Sequence, residues 1–445
     1  MEDWILFLFR SIRSFADDPL TSELWVVVFR FVPYILALEL PYYMFVFSGI
    51  LKYLLRKVHS RPEIRNRHPS VSCIITCYSE GRDIQKTIRS LAHQVYPGII
   101  EIIPVIDGAS VNGDTYRAGL EMEDEVRSLQ ARTLKILPKW KRGGRVSSLN
   151  SGFALSTGEV VMAMDGDTSF DNDMVQNAVR HFSDPDVMCV SGCLRVRNWR
   201  DSPAAALQAI EYLVSILASK TGLSEFNAVN NISGAFGIFR RDVLTLIGGW
   251  DAGTAEDLDL TLRVKNYFGR HGNMRIVFDP EVMGHTDVPD TFRGFFRQRL
   301  RWDGDLFYLY FLKHFRSFSP KLMGWPNLIV STVGGLFFQI VTPLLLFLYT
   351  VFLFASVPLA AVGIIMGLVY VFYFAVETFF FLVMFFFLSE RPREDAWLIP
   401  LLPLMPVFTF CTRIWSAFAI LWEMTGRGHL DSSMAPWWVL KKSKF

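Results

Sequence analysis

Hydrophobic positions are distributed unevenly along the chain, with long apolar runs near both ends and shorter ones, separated by polar residues, in the middle. The first long run covers residues 24–57, and a membrane-spanning helix needs about 20 apolar residues. We interpret this run as one long tilted span, with two tightly connected spans as the alternative. The basic segment LLRKVHSRPEIRNRH follows, and positive charge marks the cytosolic flank of a span. The next part of the chain is therefore predicted to be cytosolic.

The middle of the chain, residues 70–290, alternates short β-rich runs with helical stretches. The β-rich runs include VSCIITCY, EIIPVID and VVMAMD, and the helical stretches include RDIQKTIRSLAHQV and FDNDMVQNAVRHF. This alternation predicts an α/β domain with a mainly parallel, Rossmann-like sheet. Ligands bind such sheets at the carboxyl ends of the strands, and two of these runs end there in an acidic residue followed by glycine.

Apolar character returns in residues 327–355 and 359–388, each long enough to span a membrane. The turn between them is short and uncharged, as an external loop would be, and SERPRED then returns to the cytosolic side. The last run, residues 397–422, contains three prolines, which break a regular helix unless neighbouring groups satisfy the freed backbone. It is either a third span or a bent, re-entrant element.

These runs divide the chain into four parts. They are an N-terminal interfacial and transmembrane part (1–57), a cytosolic domain (58–290), an interfacial helical part (291–325) and a C-terminal transmembrane or re-entrant part with a short tail (326–445).

Composition supports this composite organisation. Hydrophobic residues make up 51% of the 445 residues, high for a soluble protein, while charged residues make up 20%, high for a chain embedded entirely in a membrane. The net charge of +2 argues against a polycationic nucleic-acid binder. The five cysteines lack CxxC pairs and zinc-ligand spacing, so we interpret them as free thiols in a reducing compartment. The N-terminus lacks the basic region and cleavage site of a secretory signal.

MDGDT places Asp165 and Asp167 two residues apart at the end of a predicted strand. In a tight turn, two such carboxylates can converge on one Mg²⁺ or Mn²⁺ ion, which prefers oxygen ligands and keeps positions for phosphate oxygens and water. The alternative is a solvated turn, since Asp-Gly pairs are common in turns. For this motif alone, the solvated turn is the stronger interpretation.

AEDLDLTLR places Glu256, Asp257 and Asp259 at the start of a helix-like run. Acidic residues stabilise a helix N-terminus through the helix dipole, which explains them without any chemistry. The alternative is a general base, a carboxylate held close to an acceptor hydroxyl. For this motif alone, helix capping is the stronger interpretation.

RQRLRW lies in a stretch that mixes aromatic and cationic residues, as an interfacial amphipathic helix does. That interpretation accounts for the arginines, but less well for the clustering of Gln298, Arg299, Arg301 and Trp302 downstream of an acidic segment. Arginine can hold a diphosphate leaving group, and a tryptophan face can stack on a sugar ring.

Together, the order and spacing of these motifs over residues 70–305 resemble the family 2 glycosyltransferases, specifically the processive membrane synthases of cellulose, chitin, hyaluronan and poly-N-acetylglucosamine. MDGDT matches the DxD motif of that family and QRLRW its QxxRW signature. GGRVSSLNSGFA resembles another family segment, with Arg145 where lysine is usual. AED stands where Thr-Glu-Asp is common, so Ala255 departs from the pattern and Asp257 is retained.

The resemblance implies a glycosyltransferase-A-type fold and an inverting transfer from a UDP-sugar. It implies that Asp257 is the general base and that Asp167, with Asp165, holds Mg²⁺ or Mn²⁺. The donor-binding residues that it implies are Thr76, Tyr78, Glu80, Asp107, Arg145, Asp165, Gln298, Arg299 and Arg301. The acceptor-binding residues that it implies are Ser233, Gly234, Glu256 and Trp302.

The expected function is polymerisation, coupled to export, of a β-linked exopolysaccharide at a bacterial inner membrane, with the catalytic domain in the cytosol. A UDP-hexosamine is the favoured donor and UDP-glucose the next choice. The expected partners are the growing polysaccharide, membrane lipid and a small regulatory subunit, without nucleic acid. One alternative is a non-processive enzyme that adds a single sugar to a lipid, giving a glycolipid. A second is a binding protein that keeps the domain without turnover.

Overall fold

The computed structural model describes residues 38–59, 67–251, 255–356 and 359–426. Residues 24–37 of the first apolar run precede the described residues, so the choice between one N-terminal span and two lies outside the described residues. The end of that run forms a helix, Leu40–His59.

The central part of the chain contains one nine-stranded mixed sheet with the order β3-β2-β1-β5-β8-β7-β9-β6, and β4 also pairs with β2. The strands are β1 (Val71–Cys77), β2 (Ile100–Asp107), β3 (Arg132–Leu134), β4 (Leu137–Lys139), β5 (Val160–Asp165), β6 (Ser169–Phe170), β7 (Val187–Val196), β8 (Phe236–Arg240) and β9 (Arg275–Thr286). The pairs within β1 to β5 are parallel, while β8 runs antiparallel to both of its neighbours. The predicted α/β class with a mainly parallel sheet is confirmed, since the pairs within β1 to β5 and the pair of β7 with β9 are parallel.

Helices surround the sheet and continue into the C-terminal part. The α-helices are α1 (Leu40–His59), α2 (Asp83–Ala92), α3 (Gly113–Leu120), α4 (Glu123–Arg127), α5 (Gly144–Leu155), α6 (Met174–Val179), α7 (Pro203–Tyr212), α8 (Ser219–Ser224), α9 (Arg241–Ile247), α10 (Glu256–Lys265), α11 (Phe292–Phe307), α12 (Pro320–Met323), α13 (Trp325–Val330), α14 (Thr342–Ser356), α15 (Leu359–Phe387), α16 (Pro392–Asp395) and α17 (Met405–Gly426). Turns of 3₁₀ or π geometry extend or connect them at Arg180–Ser183, Leu213–Ala218, Tyr308–Lys313, Phe315–Ser317, Ser331–Val341 and Ala396–Leu404.

The central strands are apolar on both faces because both faces are covered. Every residue of β1 is buried, and alternate side chains enter different hydrophobic clusters, Ile74 in one and Cys73 and Ile75 in the other. Helix α2 covers the second cluster with Ile84 and Ile88, one helical turn apart. This arrangement explains why the strands read as continuous apolar runs rather than alternating ones.

The strand register brings several chain ends to one edge of the sheet. Thr76 near the end of β1 lies opposite Asp165 at the end of β5, and Cys77 lies opposite Ile106 near the end of β2. Because β8 is antiparallel to β5, the chain enters it from this same edge at Phe236. The predicted ligand edge therefore receives both the acidic strand ends and the segment that precedes β8.

Within the described residues, three helices are long and apolar enough to cross a membrane: Trp325–Ser356, Val362–Phe387 and Pro392–Thr425. The first two correspond to the predicted spans. The third begins with α16, continues through the 3₁₀ segment Ala396–Leu404, which contains Pro400 and Pro403, and then becomes the regular helix α17. Its length and composition therefore suit a span despite the prolines.

The C-terminal helices contact the rest of the described structure at several places, two of which bear on the predicted site. Helix α11 packs on α17, where Trp415 Nε1 donates to Phe296 O at 2.7 Å and Ser416 Oγ donates to Asp303 Oδ2 at 2.6 Å. The charged segment after α15 contacts β7 through an ion pair between Arg195 and Asp395. The segment that carries QxxRW is thereby bound directly to a candidate membrane helix.

Helix α1 packs against α8 through two glycines. A Cβ atom on Gly222 would lie 2.2 Å from Val46 O, and one on Gly49 would lie 2.1 Å from Gly222 O. Lys52 Nζ also donates to Glu225 O at 2.7 Å. Only glycine permits this approach of the two backbones, so α8 is held directly on α1.

Replacing Gly222 by alanine should force the two helices apart and destabilise the protein by about 1–3 kcal/mol, the usual cost of overpacking. Thermal unfolding of detergent-purified protein measures the effect. Gly367→Ala is the matched control, because no atom lies within 4 Å of the added Cβ and alanine is favoured over glycine in a helix by about 1 kcal/mol. Equal unfolding temperatures for the two variants would contradict the close packing.

Candidate active site

Asp107, at the end of β2, is a fully engaged buried carboxylate. It accepts hydrogen bonds from Lys139 Nζ and from the backbone amides of Gly143 and Gly144, each at 2.9 Å. Gly144 has φ +82°, a conformation that glycine adopts without strain, and it begins α5. Asp107 thus fixes the turn that leads to Arg145.

Tyr78 and Glu80 follow β1 and form the neighbouring wall. The Tyr78 amide donates to Glu80 Oε1 at 2.8 Å. Arg142 donates to Tyr78 Oη at 3.1 Å, and its guanidinium lies 4.0 Å from the centre of the tyrosine ring. An aromatic ring and a cation therefore face each other beside the strand ends, an arrangement that suits a nucleotide.

Asp165 and Asp167 lie next to Glu80 at the end of β5. Burial raises the pKa of Asp167 to about 6, and the Asp165 carboxylate adds to the effect. Burial also raises the pKa of Glu80 to about 7, and its Oε2 is buried without a hydrogen-bond partner among the described residues. Two poorly solvated acidic side chains thus lie beside the Asp165 carboxylate, where a cation would be stabilised.

The fit of a divalent cation follows from this donor set. Among the described residues, no group of three or more His, Cys, Asp and Glu side chains is arranged to hold a metal ion by itself. Mg²⁺ and Mn²⁺ commonly take one or two carboxylates and complete their coordination with substrate phosphates and water. Asp165 and Asp167 fit that incomplete set.

Arg145 joins the donor edge to the segment before β8. Its Nη1 donates to Thr76 Oγ1 at 2.9 Å and pairs with Asp165, its Nη2 donates to Gly234 O at 2.6 Å, and its Nε pairs with Glu256. The Asp165 and Glu256 carboxylates hold the pKa of this guanidinium above its usual range despite burial. A lysine could not make this fork of contacts, so arginine at this position does more than replace a charge.

Asp257 lies in the first turn of α10, facing the segment before β8. Its Oδ2 accepts from the Gly234 amide at 3.1 Å and from Asn231 Nδ2 at 3.4 Å, while its Oδ1 accepts from the Leu258 amide at 2.8 Å. Burial, and then the adjacent Glu256 carboxylate, raise the pKa of Asp257 to about 6. The acidic residues do lie at a helix N-terminus, as capping predicted, but Asp257 also reaches out of the helix toward Gly234.

Ser233 precedes Gly234, and its amide lies 3.4 Å from Ser191 Oγ. A Cβ atom on Gly234 would lie 3.0 Å from Glu256 Oε1 and 3.3 Å from Asp257 Cβ. Three of the predicted acceptor-binding residues, Ser233, Gly234 and Glu256, therefore lie together with the predicted base Asp257, and Arg145 connects them to the donor-side carboxylate Asp165.

The QxxRW residues lie on α11 and are partly buried. Arg299 Nη2 contacts Glu211 of α7 at 2.5 Å, and its guanidinium lies 5.2 Å from the centre of the Trp302 ring. In the described structure Arg299 therefore fixes α11 and the tryptophan rather than contacting Asp165 or Asp167. The donor-binding roles of Gln298, Arg299 and Arg301, and the acceptor role of Trp302, stay predictions.

Several side chains of this region did not stand out in the sequence. Lys139 precedes the glycine turn in PKWKRGG, where its position in a basic run was the available signal. Arg142 lies in the same run, whereas Glu211 and Asn231 resemble ordinary polar residues. Lys220 stands out only as a lone cation among apolar and small residues in VSILASKTGLS.

A mixed sheet whose strand edge carries a DxD turn and a facing buried carboxylate is typical of glycosyltransferases of the A-type fold. The family model described as "Glycosyltransferase like family 2" matches residues 68–304, more than half of the chain, and the chain belongs to that family.

Curated relatives are poly-β-1,6-N-acetyl-D-glucosamine synthases. One from Staphylococcus epidermidis is 28% identical over 267 residues, 59% of each chain, and one from Staphylococcus aureus (strain COL) is 28% identical over 263 residues, 58% of this chain and 59% of the relative. The match spans about three fifths of the length of these relatives.

A solved structure shares the fold. It is the mannosyltransferase PcManGT from Pyrobaculum calidifontis in complex with GDP-Man and Mn²⁺, with a TM-score of 0.52 at 22% identity over 85% of this chain and 96% of that one. The predicted glycosyltransferase-A-type fold is thereby confirmed.

Replacing Arg145 by methionine should destabilise the protein by about 2–3 kcal/mol, because it leaves Asp165 and Glu256 without their buried cation. Because the Asp165 side chain is 32% exposed, the expected loss of unfolding free energy lies toward the lower end of the values found when a buried ion pair is broken. Chemical unfolding measures it. Arg117→Met is the control, since Arg117 pairs with Asp114 on the surface and should lose less than about 1 kcal/mol. Similar losses for both variants would contradict the central role of Arg145.

Proposed function

We propose that this chain is an inverting, processive synthase that polymerises a β-linked hexosamine polysaccharide from a UDP-sugar, with UDP-N-acetylglucosamine as the donor. The observation that carries the proposal is the buried Asp257 carboxylate, facing Gly234 and connected through Arg145 to the DxD carboxylate Asp165. The printed names of the staphylococcal relatives support N-acetylglucosamine as the sugar.

Donor binding is assigned to the strand edge. The Tyr78 ring, which Arg142 holds in place, is assigned to the nucleobase of the donor, and Asp107 fixes the turn beside it. Thr76 and Arg145 orient Asp165 toward the diphosphate. These contacts hold the sugar with its anomeric carbon toward Gly234, so the reacting atoms meet with little remaining freedom of motion.

The divalent cation would be held by Asp167 together with Asp165. Mg²⁺ or Mn²⁺ in this place supplies positive charge to the diphosphate leaving group.

Asp257 acts as the general base. The carboxylate accepts the proton of the acceptor hydroxyl, the hydroxyl oxygen forms the new bond to the anomeric carbon, and the bond to the diphosphate oxygen breaks on the opposite face. Attack on an α-linked UDP-sugar inverts the centre and gives a β-linkage. The amides of Gly234 and Leu258 hold the carboxylate in place for this transfer.

The acceptor side is assigned to Trp302, whose ring is fixed by Arg299 and suits stacking on the terminal sugar. Arg301 and Gln298 on the same helix are assigned to the departing diphosphate. Since α11 packs on α17, the acceptor end lies beside the candidate membrane helices. A polar polymer cannot cross hydrocarbon unaided, so we propose that these helices line its path out of a bacterial cytosol through the inner membrane.

The product made by vesicles that carry the purified protein tests this function. Labelled UDP-N-acetylglucosamine, UDP-glucose and UDP-glucuronate are supplied singly and in pairs with Mg²⁺ or Mn²⁺, and products are sized. High-molecular-mass material from UDP-N-acetylglucosamine alone is expected. A requirement for two donors would indicate a copolymer, and one labelled sugar on lipid would overturn processivity in favour of a glycolipid enzyme.

Replacing Asp257 by asparagine should reduce sugar transfer by about 10²–10⁴-fold, the usual contribution of a general base, while UDP binding persists. Initial rates and calorimetric UDP binding separate the two effects. Asp242→Asn is the matched control, because Asp242 Oδ1 also accepts from the next amide at a helix start, at 2.8 Å, without facing Gly234. Transfer close to the unmodified rate in the Asp257 variant would exclude this base.

Replacing Asp167 by alanine should weaken the binding of UDP in the presence of Mn²⁺, because the variant loses a ligand of the cation. The weaker binding of UDP without metal should stay unchanged, because Asp167 is not assigned to the nucleobase. Calorimetric titration with UDP, with and without Mn²⁺, measures both. A variant that keeps the full gain from Mn²⁺ would show that Asp167 holds no metal.

A further inference from the structure

Lys220 is a buried cation with an unusual place in the molecule. It lies on α8 and is 5% exposed, and its Nζ donates to Asn231 O at 3.0 Å. No carboxylate of a described residue forms an ion pair with it. Burying an ammonium group in this way is costly, so a lysine at this position calls for a compensating partner at longer range.

The negatively charged group that favours the buried Lys220 ammonium is Asp257. Burial lowers the pKa of Lys220 to about 8, and the negative charges that act against this are Asp257 on α10 and then Cys193 on β7. The Cys193 thiol is fully buried, which raises its own pKa to about 12 and leaves it neutral. Asp257 is therefore the anion that the Lys220 ammonium faces near neutral pH.

Asn231 connects the two groups directly. Its carbonyl accepts from Lys220, and its side-chain amide lies 3.4 Å from Asp257 Oδ2, the oxygen that also accepts from Gly234. The Ile232 amide donates to Thr261 Oγ1 at 2.9 Å, which holds the same loop on α10. The loop that presents the acceptor-side residues is thus fastened to α10 on one side and to Lys220 on the other.

The position of Lys220 is fixed from behind by the close packing of α8 on α1. Gly222, two residues along, approaches the backbone of Val46 so closely that even a Cβ atom would clash. The ammonium therefore cannot withdraw from the loop by a shift of its helix.

We propose that Lys220 is a positioning residue of the active site, which fastens the Asn231 loop and supplies the positive charge that keeps Asp257 ionised in its buried place. The proposal rests on the function assigned to Asp257 above. Burial and the Glu256 carboxylate favour the protonated form of Asp257, whereas the Leu258 and Gly234 amides, and then the Lys220 ammonium, favour the carboxylate. Only the carboxylate can accept the acceptor proton.

A second buried lysine provides the comparison. Lys265 lies on α10 itself and is fully buried, and burial lowers its pKa to about 7, but its Nζ contacts Ser331 Oγ at 3.3 Å and no acidic group acts on it. A substitution there changes a buried ammonium without changing the charge that faces Asp257.

The test is the pH dependence of kcat/KM for sugar transfer by the full chain in vesicles. On the acidic side of the profile, kcat/KM falls as Asp257 becomes protonated. With Lys220→Met or Lys220→Gln, this acid limb should move to higher pH by about one unit, because the positive charge that favours the Asp257 carboxylate is lost. Transfer should then fall about fivefold at pH 6 and much less at pH 8. Lys220→Arg should keep the acid limb of the unmodified chain, and so should Lys265→Met.

The readouts distinguish the possible failures. The proposal would be overturned if the acid limb stayed unchanged in both Lys220→Met and Lys220→Gln, or if Lys265→Met moved it equally. A merely structural role of Lys220 would instead lower the rate at every pH. UDP binding by calorimetry confirms that each variant is folded, and Lys220→Arg tests the charge if neutral variants fold poorly. Absence of polymer from the unmodified chain would instead refute the proposed function itself.

Discussion

The bridge that Arg145 forms between Asp165 and Glu256 is the interaction on which the site depends. Carboxylates withdrawn from water must be compensated, and a single guanidinium compensates one from the donor side and one from the acceptor side. Its remaining contacts are to the Thr76 hydroxyl on the donor side and to the Gly234 carbonyl on the acceptor side. The distance between the DxD turn and the proposed base is thus set by one side chain, so a donor and an acceptor can meet without a large rearrangement.

The same site is held from two directions by helices that lie outside its sheet. On one side α1 holds α8 and Lys220, and on the other α17 holds the QxxRW helix. A processive enzyme must keep its product aligned between additions, and rigid contacts between the catalytic edge and the candidate membrane helices serve that need. Helix α11, which carries RQRLRW, contacts α7 through Arg299 and α17 through Phe296, so it joins the domain that carries the proposed site to a candidate membrane helix.

Much of this organisation could be predicted from the sequence, since strand runs, the DxD turn and apolar spans depend on local patterns. The choice between capping and catalysis for Glu256 and Asp257 could not be made locally, because it depends on Gly234, more than 20 residues away in the chain. Lys220 carried no motif, and its relation to Asp257 appears only when α8, the Asn231 loop and α10 are assembled. The contact of Arg299 with Glu211 was likewise hidden, because α7 and α11 are far apart in sequence.

The most direct test of the account is a structure of the full chain with a non-hydrolysable UDP-N-acetylglucosamine analogue, Mn²⁺ and a short β-linked acceptor. The account predicts that the Asp257 carboxylate lies within hydrogen-bond reach of the acceptor hydroxyl, about 3 Å, with Arg145 still joining Asp165 and Glu256. An acceptor hydroxyl placed against a different base, with Asp257 remote from the anomeric carbon, would contradict it.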